Sequence, residues 1–108
     1  MIKILLACNA GMSTSLLVNK MKKVAAEHKL EADIKAVPEI QAPSHFNDIN
    51  ILLLGPQIKF LESKMIELAN GRFPVVTINT QKYGMMDGLG VLKDAIIAIK
   101  EFKKANAQ

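Results

Sequence analysis

The stretch Cys8-Asn9-Ala10-Gly11-Met12-Ser13-Thr14-Ser15 holds the residue types and the spacing in this chain that could do chemistry. Cys8 is the sole cysteine, and three hydroxyl residues run in succession from Ser13. The apolar run Ile2-Lys3-Ile4-Leu5-Leu6-Ala7 precedes it, and a helical pattern begins near Leu16. A strand therefore feeds a short loop, and the loop feeds a helix. A helix N-terminus presents free N–H groups and the positive end of the helix dipole, which suits an anion. The same field favours a nucleophilic thiolate. Small residues let the backbone curl closely around a phosphate. The expected cradle is the backbone of Asn9, Ala10, Gly11, Met12, Ser13, Thr14 and Ser15, with Cys8 as the nucleophile at its mouth. Such an arrangement suits a phosphoryl group held covalently. Each charge-assisted N–H bond to that group is worth about 1.5–3 kcal/mol, and the hydroxyls of Ser13, Thr14 and Ser15 can add donors. Gly11 supplies either a positive φ or close approach to the phosphate. Met12 shields the loop mouth, meets a partner or joins the core. A buried cysteine at a strand end is more often plain packing. Here the seven residues after Cys8 are small or hydroxylated apart from Asn9 and Met12, which reverses that preference.

The elements that must position this loop follow from periodicity. Ile2–Ala7 is continuous enough in apolar character to be a central parallel strand covered on both faces. Leu17, Met21, Val24 and His28 recur at spacings of four, three and four, predicting an amphipathic helix from about Ser13 to His28 with Ser13 as its cap. Asp33–Val37 alternates and stops at Pro38, a short edge strand. The polar segment Glu39–Asn50 is expected to hold one short helix capped by Ser44. Ile51–Leu54 is a third strand, buried on both faces and ended by Gly55-Pro56. Ile58, Leu61, Met65 and Leu68 predict a helix ending before Asn70-Gly71. Pro74–Ile78 is the fourth strand, and Gln81–Gly84 begins a turn. Val91, Leu92, Ala95, Ile96, Ile99 and Phe102 form the stripe of a last helix, with Lys103–Gln108 expected to fray. Strands alternating with helices imply an α/β fold, here one three-layer domain over residues 1–108 with a four-stranded parallel sheet flanked by helices. In such sheets ligands bind beyond the carboxyl ends of the strands, where the loop after the first strand lies.

Length and composition narrow the possibilities. At 108 residues, half of them hydrophobic, the chain is long enough for one real core. Its formal charge is +4, carried mostly by dispersed lysines, with one tyrosine, four phenylalanines and no tryptophan. A nucleic-acid binder would cluster its cations and interleave aromatics for stacking, so no nucleic-acid partner is expected. A mildly basic surface favours acidic or phosphorylated partners instead. A single cysteine excludes an internal disulfide and a cysteine-rich zinc site, and neither metal nor cofactor is expected. No apolar run approaches the ~20 residues of a membrane span. Leu5-Leu6-Ala7-Cys8 looks like a lipoprotein cleavage box, but too few residues precede it for a charged region and an apolar one. The expected setting is the cytoplasm, where a free thiol stays reduced.

The remaining candidates have plainer readings beside the chemical ones. Asp87 is most simply the N-cap of the last helix, and alternatively approaches the phosphate. Tyr83 is either packing or a contact to a partner or the phosphate. His28 is more simply a helix-end residue than a chemical one, His45 a surface residue, and no Cys-His-Asp ordering suggests a protease. Lys20, Lys22 and Lys23 form a solvated helix face that could also guide docking.

The Cys8 loop, taken with Gly55-Pro56-Gln57-Ile58 and Tyr83-Gly84-Met85-Met86-Asp87-Gly88-Leu89-Gly90-Val91-Leu92, resembles the IIB components of the bacterial phosphotransferase system, in the lactose/cellobiose (chitobiose) class. The resemblance covers essentially the whole chain. It implies a four-stranded parallel sheet and a cysteine that accepts a phosphoryl group from the histidine of a IIA component. It further implies delivery of that group to a sugar as the membrane IIC component imports it, with Cys8 as the phosphorylated residue and IIC as the membrane partner of a peripherally associated chain. Two alternatives stand beside it. Cys8 followed by five residues and Thr14-Ser15 also looks like the loop of low-molecular-weight tyrosine phosphatases. Those enzymes carry at the position of Thr14 an arginine that clamps the transition state. Without it, and without an Asp-Pro loop to activate water, the loop should store phosphate rather than hydrolyse it. A flavodoxin-like binding module is the non-enzymatic alternative.

Overall fold

The computed structural model describes residues 1–9 and 12–106, with Met12 and Ser13 described by their place in a helix alone. The central element is β1 (Ile2–Cys8), whose side chains alternate into two separate apolar clusters. Ile4 and Leu6 enter one cluster, and Leu5 and Ala7 enter the other. That is why the run is apolar at nearly every position rather than at every second one. β1 pairs in parallel with β2 (Ala32–Pro38) on one side and β3 (Ile51–Leu54) on the other. β4 (Val75–Thr77) pairs in parallel with β3, so the described strands run β2-β1-β3-β4.

Two layers cover this sheet. α1 (Met12–Glu27) and α4 (Gly88–Asn106) pack on the face of Ile4 and Leu6, burying Leu17, Val18, Met21 and Ala25 against Val91, Leu92, Ala95 and Ile99. The opposite face is closed by a 3-10 segment (Glu39–Asp48), a 3-10 turn (Pro56–Leu61) and α2 (Glu62–Ala69). The four-stranded parallel α/β architecture is the one the strand and helix periodicities predict.

Several local readings need correction. His28 is the helix-end residue expected, its N–H still on Val24 O (3.0 Å), but it is exposed and not part of the buried stripe of α1. The helix is closed instead by Lys29 in the left-handed region (φ 54°), with the Lys29 N–H on Ala26 O (3.1 Å) and the Leu30 N–H on Ala25 O (2.8 Å). Ser13 lies inside α1, not at its cap. Glu39–Asp48 winds as a 3-10 segment around Pro43, and Ser44 Oγ donates back to Gln41 O (2.6 Å) from within it. Proline has no N–H for an α-helical bond, and the tight winding carries Ala42 and Phe46 into the core. Phe46 meets Phe73 edge to face at 5.0 Å. The helix expected from Ile58 is broken at Ile58 itself (φ −115°, ψ 26°). The break re-phases the stripe, so Met65 and Ala69 are buried while Leu68 is 41% exposed. Where a turn was expected, Thr80–Gly84 forms the short helix α3, capped by Asn79 Oδ1 accepting from the Lys82 N–H (3.0 Å). α4 continues to Asn106, through the part of the tail expected to fray.

The start of α4 is built closely. Asp87 Oδ1 accepts from the Gly90 N–H (2.9 Å), the N-cap its position predicts. Gly88 lies against the α1 backbone: a Cβ there would stand 2.9 Å from the Lys20 carbonyl carbon and 3.0 Å from the Met21 nitrogen. These are backbone and Cβ atoms of α1, which leaves nothing flexible to yield. Gly88→Ala should therefore prise α4 from α1 and lower stability by about 1–3 kcal/mol in urea unfolding, with the denaturant slope unchanged. An unchanged midpoint would refute this account of the contact.

Candidate active site

Strand order places the candidate site. From β1 the chain steps outward to β2, then returns past β1 to β3. The carboxyl ends of β1 and β3 thus flank the point where winding reverses, the place where parallel α/β sheets open a crevice. Cys8 is the last residue of β1, opposite Pro38 in the neighbouring strand, and is 5% exposed. Across the crevice the Gly55 N–H donates to Ala7 O (2.9 Å). A Cβ at Gly55 would stand 3.6 Å from the Cys8 Cβ and 2.8 Å from Gln57 Oε1. The strand-end glycine therefore lies directly beside the thiol-bearing residue, with the exposed Gln57 amide folded over it.

Asn9 is exposed directly after Cys8, and Met12 opens α1. The cradle positions Ala10 and Gly11, and the side chains of Met12 and Ser13, lie outside the described residues. Ser15 is exposed on the first turn of α1. Thr14 departs from the expectation that its hydroxyl faces the cradle. It is 1% exposed, and its Oγ1 shares a hydrogen bond with the hydroxyl of Tyr83 (3.0 Å). Tyr83 is correspondingly buried, so it is not a surface contact for a partner. Its ring sits in the α1–α4 cluster, and its hydroxyl ties α3 to the first turn of α1. The Asp87 carboxylate is engaged at the cap of α4.

This arrangement bears on hydrolysis. At Thr14, where a phosphatase-like loop would carry its arginine, the side chain is turned into the protein. The chain's sole arginine, Arg72, is fixed beyond α2, with Nε on Ala69 O (2.9 Å) and the ring of Phe73 beneath it (5.8 Å). It precedes β4 and so lies at the amino edge of the sheet, opposite Cys8. Lys3 is also near that amino edge, its pKa raised by its hydrogen bond to Asp48. Among the described residues no group of three or more histidine, cysteine or carboxylate side chains could hold a metal ion.

The sequence matches the family described as "PTS system, Lactose/Cellobiose specific IIB subunit" over residues 3–94. The chain belongs to that family. It is 42% identical over 95 residues to the oligo-beta-mannoside-specific EIIB component of Bacillus subtilis (strain 168), covering 87% of this chain and 92% of that one. It is 42% identical over 98 residues to the galactose-specific EIIB component of Lactococcus lactis subsp. cremoris (strain MG1363), covering 85% and 91%. In three dimensions it is similar to the solution structure of a cellobiose-specific IIB component from Borrelia burgdorferi, with a TM-score of 0.77 at 37% identity and 93% of each chain covered. The protein is thus a phosphoryl-carrier component of a sugar phosphotransferase system, a IIB subunit of a protein-phosphohistidine–sugar phosphotransferase. No helix among the described residues of this IIB chain is long and apolar enough to cross a membrane.

Sequence reasoning missed two features of the IIB site. Gln57 lay within a quoted motif, but its place over Gly55 depends on the 3-10 turn after β3. The Thr14–Tyr83 bond joins residues 69 apart, and no local pattern encodes it. Tyr83→Phe should leave the Thr14 hydroxyl buried without its partner and cost about 1–3 kcal/mol. Adding Thr14→Val should recover part of that loss, giving a coupling of about 1 kcal/mol in a double-mutant cycle. Strictly additive losses would show that the two hydroxyls do not act as a pair.

Proposed function

We propose that Cys8 is the residue on which this IIB chain carries its phosphoryl group. The reading assigns the donor as the phosphohistidine of a IIA component and the acceptor as a sugar held by a membrane IIC component, with the exchange taking place at the cytoplasmic side. The observation that carries it is the position of Cys8, at the carboxyl end of the central strand, beside Gly55 and ahead of the α1 N-terminus.

The chemistry follows in two balanced steps. The Cys8 thiolate attacks phosphorus in line with the phosphohistidine nitrogen. The S–P bond forms, the P–N bond breaks, and the imidazole nitrogen leaves with the electron pair and takes up a proton. In the second step a sugar hydroxyl attacks phosphorus, the S–P bond breaks and the thiolate is returned. The hydroxyl proton passes to a base of the acceptor component. Between the steps the group brings about −1.5 to −2 charge. Backbone N–H groups from Asn9 to Ser15 and the positive end of α1 neutralise it. A thiolate leaves readily, so the remaining work is alignment of donor and acceptor. No arginine reaches this edge among the described residues, and Thr14 faces Tyr83, so the loop cradles phosphate without a clamp to speed attack by water. The Thr14–Tyr83 bond serves to hold the first turn of α1 against α3.

The test is the intact mass of the protein after mixing with the general phosphotransferase components and a matching IIA protein. A stable gain of one phosphoryl group that maps to Cys8 is the expected result. Cys8→Ser should abolish it while the circular dichroism spectrum is retained. An adduct that survives in the serine variant overturns the assignment. Steady release of phosphate without an adduct would instead indicate a phosphatase.

A further inference from the structure

The formal charge of +4 is distributed unevenly over the molecule. Residues 12–30 and 80–106, which contain α1, its closing turn, α3 and α4, carry nine lysines and four carboxylates, a formal +5. The rest of the chain carries five cations and six carboxylates, a formal −1. The excess therefore belongs to one layer of the sandwich. Within that layer the lysines point outward. The buried side of α1 is made by Leu17, Val18, Met21 and Ala25, which puts Lys23 on the middle of the outer side and Lys20 and Lys22 on its flanks, all exposed. On α4 the residues opposite Val91, Leu92, Ala95 and Ile99 are Lys93, Ile97, Lys100 and Lys104, spaced four, three and four apart and likewise exposed. The two helices lie side by side, with Gly88 against the backbone of Lys20. Lys82 is the one lysine of this layer held in an ion pair among the described residues, with Asp94 at 2.6 Å.

We propose that the outer side of the α1–α4 layer is an electrostatic docking face for an anionic lipid surface. A protein partner is a poorer fit, because protein interfaces gain their energy from apolar and aromatic anchors in pockets. The exposed apolar side chains Leu16, Ile40, Phe60, Met85 and Leu89 follow strand ends or open helices, close to the Cys8 edge of the sheet. The lysine face carries Ile97 and, at the start of α1, Leu16 among hydrated point charges, Glu27 and Glu101 included with the lysines in excess, which suits a broad plane of phosphate headgroups with shallow apolar contact. Lysines near such a surface act over about one Debye length, ~8 Å at physiological salt, so the attraction is salt-sensitive and reversible. Lys100 lines a cavity with Met1 and Ile2, at the amino edge of the sheet, so the face extends away from the Cys8 edge and does not cover it. A carrier resting on lipid in this way leaves the crevice open sideways to protein components.

The vesicle assay needs no phosphoryl chemistry, so its outcome is independent of the assignment of Cys8. The full chain is sedimented with phosphatidylcholine vesicles, with or without about one-third phosphatidylglycerol. The expected result is binding to the anionic vesicles alone, falling about tenfold between ~50 and ~200 mM salt. The triple variant Lys23→Glu, Lys93→Glu, Lys100→Glu should lose that binding. The control Lys59→Glu, Lys64→Glu, on the opposite layer, should retain it. Equal partition onto both vesicle types, no binding at low salt, or equal loss in the two variants would each overturn the proposal. If the triple variant slowed transfer from the protein donor, and anionic vesicles bound neither it nor the parent chain, the face would belong to a protein partner instead.

Discussion

β1 hydrogen-bonds to β2 on one side and to β3 on the other, while its side chains alternate into two cores that share no residue. A strand so occupied has no freedom to slip. A shift of one residue would exchange Leu5 and Ala7 with Ile4 and Leu6 and unmatch both faces together. The last residue of this strand is Cys8. Its thiol is thereby placed by the pairing of seven residues, not by the loop that follows. The loop's own task is narrower: to lead from a fixed strand end into a helix whose first turn is also fixed.

The far side of that loop is held by two contacts of different kinds. The Thr14–Tyr83 bond fastens the first turn of α1 to α3, and Gly88 lets α4 lie flush on the α1 backbone two turns later. Both contacts come from the stretch after β4, so the carboxyl-terminal third of the chain braces the amino-terminal site. On the proposed role of Cys8, this bracing supplies the accuracy that in-line transfer needs without an arginine fork. The loop's two ends are positioned by the strand ladder and by helix packing. For a carrier on Cys8 as proposed, the inward turn of Thr14 would favour storage over hydrolysis, because the position that would clamp a transition state in a phosphatase-like loop here serves the core.

Much of this was legible in the sequence where chemistry and periodicity agreed. The apolar β1 run, the edge character of β2 from Pro38, the stripe of α4 and the Asp87 cap are local patterns with local causes. Cys8 stood out because its neighbours are small and hydroxylated. The errors arose where a local pattern met a tertiary constraint. His28 fits the stripe of α1 by spacing, but the left-handed Lys29 closes the helix just after it and His28 stays exposed. Leu68 fits its stripe equally well, but the break at Ile58 moved Ala69 into its place. Ser44 had the right side chain for a cap, but Pro43 beside it imposed a tighter winding. The Tyr83–Thr14 bond and the Gly55–Cys8 approach could not be read at all, since each needs the sheet order to bring distant residues together.

Tyr83 is the only tyrosine in a chain that has no tryptophan. Its near-ultraviolet emission is therefore free of indole emission and of energy transfer to indole. The fluorophore's hydroxyl is bonded to Thr14, two positions into α1 beyond Met12, at the edge of the proposed phosphate cradle. Phenol emission responds to hydrogen bonding and to nearby charge. With Cys8 as the proposed carrier, Tyr83 is a built-in optical reporter beside the place where charge would arrive and depart, by which loading and unloading could be followed in real time without any label.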